Sequence, residues 1–119
     1  MKGYKFLIPL ALVALMALSI FNVFSTANAE KKEYESLLEE ARRLAELEVI
    51  EDSMIYYKEA LEIRDVIDVN VEIGQVYVKN GWVSEAIEWG EYLIEKFPEE
   101  PLAYNFLLEQ YINSANYEE

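Results

Sequence analysis

Apolar residues dominate the chain from Phe6 to Phe24, relieved only by Ser19 and Asn22, and no later stretch is so uniform. From Glu30 onward the apolar positions recur every three or four residues, the spacing that puts them on one face of a helix. That period predicts helices over Glu33–Leu47, Ile50–Ile63, Ile67–Asn80, Val83–Phe97 and Pro101–Asn113, with another starting near Tyr117. The breaks are short, and alternation of the kind that marks a strand is lacking. Helices of about fourteen residues joined by such turns pack as antiparallel neighbours. An all-α stack preceded by one apolar helix is therefore expected.

The apolar run is nineteen residues long; at about 1.5 Å each they span roughly the 30 Å hydrocarbon core of a bilayer. Pro9 falls in the first turn, where its missing N–H does least harm. Lys2 and Lys5 would hold the amino terminus in the cytoplasm and send the rest outside. Ala27-Asn28-Ala29 has the A-x-A form of a secretory cleavage site, but the run exceeds the ~7–15 apolar residues usual in a cleaved signal. An uncleaved, single-pass anchor over residues 1–29 is the favoured reading. Secretion after cleavage at Ala29 is the alternative, and residues 30–119 lie outside the cytoplasm in both.

Charge sharpens the picture. No acid occurs before Glu30, so all 23 Asp and Glu lie in residues 30–119 beside eight of the ten Lys and Arg, a balance of −15. Phosphate backbones and anionic headgroups repel such a surface, which argues against nucleic-acid binding and favours a neutral or basic protein partner. With neither Cys nor His, thiol catalysis, disulfides, Cys/His zinc sites and Ser-His-Asp chemistry are excluded. Asp65, Asp68, Asn70, Glu72 and Gly74 superficially suggest a calcium loop, but Ile73 stands in the glycine's place and Lys79 in that of the closing glutamate. Glu39-Glu40 and Glu99-Glu100 are adjacent on helices, about 100° apart, and cannot converge on one substrate atom. No enzyme, cofactor, metal or small-molecule substrate is expected.

The predicted helices also resemble one another. Ala41-x-x-Leu44 matches Gly74-x-x-Tyr77 at an offset of 33, and EDSMIYYKEAL from Glu51 falls on SEAIEWGEYLI from Ser84 at the same offset. Leu107, Tyr111 and Ala115 fall on Ile73, Tyr77 and Gly81 at an offset of 34. Self-similarity at a fixed period marks a stacked array. Glycine in a helix interior costs about 1 kcal/mol, so Gly74, Gly81 and Gly90 require structural reasons. Gly74 and Ala86 suit a close approach between paired helices, and Gly81 a turn with positive φ. Gly90, next to Trp89, leaves a space that the indole is expected to fill. The remaining aromatics read as packing, with Trp82 in a turn as a surface contact.

These residues resemble the tetratricopeptide repeat, a helix–turn–helix unit of 34 residues. The middle unit, residues 67–100, carries the pattern best: Ile73-Gly74, Tyr77, Gly81, Ala86 and Pro98 fall on the aliphatic-small pair, aromatic, turn glycine, second-helix alanine and terminal proline. The first, residues 34–66, keeps Ala41, Leu44, Tyr57 and Ala60, with Glu48 for the turn glycine and Ser53 for the alanine. The third, from residue 101, keeps Tyr104, Leu107, Tyr111 and Tyr117, with Leu108 for the small residue, and is incomplete at residue 119. The layout is similar to that of membrane-anchored or exported bacterial members, read as the amino-terminal piece of a longer chain. The resemblance implies a concave face that holds a peptide or protein, lined here by Leu38, Arg42, Ala45, Val71, Gln75, Val78, Lys79, Asn105, Glu109 and Ile112. Leu38 and Val71 stand where some members have carboxylate-clamping residues. The expected function is a non-enzymatic interaction module tethered outside the membrane. A spacer that positions a further domain, such as a tryptophan-glycine repeat domain, is the alternative.

Overall fold

In a computed structural model, residues 9–117 are described, and they form five helices: α1 (Leu10–Glu46), α2 (Ile50–Ile63), α3 (Ile67–Lys79), α4 (Val83–Lys96) and α5 (Pro101–Tyr117). No strand occurs among the described residues. The chain divides into two compact units, residues 1–33 and 34–119.

In the first unit, α1 is the one described helix long and apolar enough to cross a membrane. Pro9 precedes it, and its carbonyl accepts from the amides of Leu12 and Val13. The side chains along this stretch are exposed in the chain by itself, including Leu15, Ile20 and Phe24. Ser19 Oγ donates to Leu15 O at 2.9 Å and Thr26 Oγ1 to Asn22 O at 2.8 Å. Both hydroxyls are thus paired within the helix, as an apolar environment requires. Lys2, Lys5 and Phe6, which figure in the expected topology, lie outside the described residues.

A helix boundary near Glu33 is not found. Residues 29 to 33 contain neither Gly nor Pro, and α1 runs through them. The expected stop at Asn113 is absent as well: α5 continues through Ser114-Ala115-Asn116, with Ser114 Oγ bonded back to Tyr111 O. Tyr117, read as the start of a new helix, belongs to α5.

In the second unit, α3 packs against α2, α4 and α5, and α4 against α5. Ser53 Oγ on α2 donates to Ala41 O on α1 at 2.7 Å, both residues being fully buried. The core around them comprises Tyr34, Leu38, Ile50, Met54, Tyr57, Ala60, Val69 and Ile73, ringed by Tyr77, Trp82 and Trp89.

The turns repeat at the sequence period. After α1, Glu48 N bonds Ala45 O at 3.1 Å and Val49 N bonds Leu44 O at 2.9 Å. After α3, Gly81 N bonds Val78 O at 3.1 Å and Trp82 N bonds Tyr77 O at 2.9 Å. Each pair is a Schellman cap, whose C′ residue must be left-handed, and φ is 62° at Glu48 and 77° at Gly81. Trp82 stacks on Tyr77, with centroids 6.0 Å apart, making the hydrophobic contact that accompanies such a cap.

Two glycines sit elsewhere than expected. A Cβ on Gly74 would stand 2.8 and 2.9 Å from Cε2 and Cε1 of Phe106, so the close neighbour is α5 rather than Ala86 on α4. A Cβ on Gly90 would meet Leu107 at 3.0 Å and Phe106 at 3.2 Å. Trp89 does not fill that space, because its Nε1 donates to Asn70 O at 2.7 Å and its ring packs on Tyr77 and Tyr92. Both glycines serve the seating of α5.

Candidate functional site

Four of the expected groove residues come together. Arg42 and Ala45 on α1 and Gln75 and Lys79 on α3 line an open cleft of about 200 Å³, with Glu46, Tyr57, Glu72, Val76 and Asn80. The helical period places them there: Arg42 and Ala45 are three apart on α1, Gln75 and Lys79 four apart on α3, so each pair shares a face.

Glu72 organises one wall. Its carboxylate accepts from Arg42 Nε at 2.6 Å and Nη2 at 2.8 Å, a bidentate pair, and from Tyr57 Oη at 2.7 Å. Three helices meet at this one carboxylate. The Arg42 hydrogen bonds, with Tyr57 adding to them, hold the Glu72 carboxyl below the usual carboxylate range. The same bonds raise Arg42. Burial, then the hydrogen bond to Glu72, pushes the Tyr57 hydroxyl above its ordinary value.

The rest of the cleft is mixed in character. Ala45 and Val76 supply apolar surface, and Gln75 and Asn80 carry amides, although Asn80 Nδ2 is committed to Val76 O. Arg42 and Lys79 face Glu46 and Glu72, so the lining is balanced in formal charge. Such a surface can take a short extended segment through backbone hydrogen bonds and a small apolar contact.

The other expected residues are dispersed. Leu38 is buried in the core (6% exposed) and does not face the cleft. Its place on α1 is turned inward, one helical turn from Tyr34 and close to Ala41. Val71 is half-buried outside the cleft lining, and Asn105, Glu109 and Ile112 are exposed on α5. Val78 lines a separate depression of about 650 Å³ with Gly81, Val83, Gln110, Asn113, Ser114 and Asn116. Among the residues of packing, Ala41 and Ala86 are fully buried, Tyr77 is half-buried and Pro98 is exposed.

Tyr57 and Glu72 were not among the expected groove residues. Opposite charges at Arg42 and Glu72, on helices that the expected repeat would make neighbours, were the available signal. The residues of the superficial calcium loop go to separate partners instead. Asp65 pairs with Lys96 and accepts from Asn70 Nδ2, whereas Glu72 turns to Arg42. No group of three or more Asp or Glu poised to hold a metal occurs among the described residues.

No protein-family model, curated protein or solved structure matches the chain.

Proposed function

We propose that residues 34–117 are two tetratricopeptide-like helix pairs, α1–α2 and α3–α4, followed by the first helix of a third unit. In this reading they are carried outside the membrane by the apolar part of α1 and hold a protein or peptide in the α1–α3 cleft, without catalysis. The observation that carries the proposal is the recurrence of one turn geometry at the sequence period, with the cleft lying between the two first helices so defined. A neutral or basic ligand suits the acidic surface around it.

The anchor is favoured over a cleaved signal because Ala27–Ala29 lie within α1 rather than in an extended segment that a peptidase could engage. A spacer role is the second reading. One observation favours it: Arg42 and Glu72 satisfy each other across the cleft and stiffen the stack.

A photo-crosslinking side chain placed at Gln75, and separately at Glu88 on α4, distinguishes the two readings in cells. The module predicts a discrete adduct from Gln75, weakened by Ala45→Trp, which fills the cleft, and none from Glu88. Identical adducts from both positions, or none from either, would leave only the spacer.

A further inference from the structure

The hydroxyls of Ser19 and Thr26 are paired within α1, but the Asn22 side chain is not. Thr26 Oγ1 donates to the backbone carbonyl of Asn22, and the side-chain amide has no partner among the described residues. It is exposed in the chain by itself.

Its depth makes the missing partner costly. Charged residues stop at Lys5 and resume at Glu30, with twenty-four uncharged residues between them. As a helix these run about 36 Å, more than the roughly 30 Å hydrocarbon core. Their midpoint falls between Ala17 and Leu18. In the anchor reading Asn22 thus stands roughly 7 Å from the midplane, well inside the ~15 Å half-thickness. Ser25 and Asn28 stand nearer the outer interface. The Asn22 side chain is too short to reach that interface as Lys or Arg would. A primary amide has two donors and an acceptor, and hydrocarbon offers a partner to neither.

Asn22 also sits on a seam. Leu12, Leu15, Ser19, Asn22 and Thr26 follow one another at intervals of three, four, three and four residues, and all five are exposed. That repeat keeps one face of a helix against a parallel neighbour. Phe21 and Phe24 lie on the opposite side of the helix.

The amide's own chemistry names the occupant. Two copies related by a twofold axis bring Asn22 to Asn22, and each Nδ2 then donates to the other's Oδ1. No third group is needed. Copies of one chain also insert in one orientation, so the two amides meet at the same depth. The acidic residues from Glu30 onward oppose the pairing, but exposed charges are screened beyond about 8 Å at physiological salt. Hydrocarbon gives a bare amide no such relief.

We infer that α1 pairs within the membrane with α1 of a second copy of this chain, through Asn22. The inference rests on the anchor reading. Full chains carrying Glu88→Cys, labelled with a donor or an acceptor dye, are reconstituted in vesicles of zwitterionic lipid, and energy transfer is followed as lipid is added. The intact mass of the chain extracted from membranes is measured first. Transfer should exceed that of random mixing, and Asn22→Leu should need about tenfold more protein per lipid for the same transfer. Asn22→Gln, which keeps the amide, and Phe21→Leu, on the opposite side, should each follow the wild-type curve. A chain that retains residues 1–29 but shows only random transfer would overturn the pairing and leave the anchor standing. So would an Asn22→Leu curve that superposes on the wild type. A mass that begins at Glu30 would overturn the anchor reading and the pairing together.

Discussion

Glu48 and Gly81 stand 33 residues apart and occupy the same left-handed position in the same cap, with φ of 62° and 77°. Each donates its amide to the carbonyl three residues back at 3.1 Å. Only the side chains differ. An L-residue in that region costs roughly 1–2 kcal/mol that glycine does not. Glu48→Gly should therefore raise stability by up to about 1 kcal/mol, less whatever the freer unfolded chain takes back. Gly81→Ala should lower it by about 1 kcal/mol, though nothing lies within 4 Å of the added methyl. Thermal unfolding of the two variants measures both, and a loss in both would show that the caps are not equivalent.

Gly74 tests the seating of α5. Gly74→Leu must displace the buried Phe106 ring and should cost about 1–3 kcal/mol by overpacking. Phe106→Ala should recover part of that loss in the double variant, because the clash and its cause are in contact. Strictly additive effects in denaturant unfolding would place Gly74 against some other neighbour.

The buried Ser53 hydroxyl ties α2 to α1, where the second pair has Ala86 at the matching position. Ser53→Ala should cost about 1 kcal/mol, the usual net worth of one hydrogen bond. Ala86→Ser should cost at least as much if its hydroxyl finds no acceptor. Their melting temperatures would show whether the two pairs meet with the same closeness.

Stability should fall at both ends of the pH scale through one cluster. The Glu72 carboxyl is held below its unfolded value by Arg42 and Tyr57. Its contribution is thus present above the unfolded carboxyl pKa of about 4.3 and is lost as pH falls through the lower folded value. The Tyr57 hydroxyl is raised by burial and by Glu72, so its contribution holds below about pH 10 and is lost as pH rises toward the folded value. Glu72→Gln should flatten the acid limb of a stability–pH curve, and Tyr57→Phe the alkaline limb. Wild-type slopes in both variants would place the titrating groups elsewhere.

Much of the helical layout was legible in the sequence. The bounds of α2 follow from periodicity alone, and the positive φ at Gly81 from the turn it closes. What failed has a common cause. Periodicity registers where a helix presents its faces and is blind to where a polar run remains helical, so the breaks expected near Glu33 and after Asn113 did not occur. Gly90 was misread because its neighbour, Leu107, is seventeen residues away and on another helix. Tyr57 and Glu72 were missed because their pairing with Arg42 depends on three helices meeting. Leu38 was placed in the groove by analogy of position, whereas burial beside Tyr34 and Ala41 decides its direction.

The chain has no cysteine, so a single introduced thiol reports on one place without ambiguity. Labelling of Gln75→Cys and of Glu88→Cys by a membrane-impermeant maleimide, in intact cells and again on the chain purified in nanodiscs, tests display outside the membrane and occupancy of the cleft together. Both positions should label in intact cells, and Gln75→Cys should react severalfold more slowly there than in nanodiscs, while Glu88→Cys reacts at one rate throughout. Labelling that begins only after lysis, or a Gln75→Cys rate unchanged between cells and nanodiscs, would contradict the account.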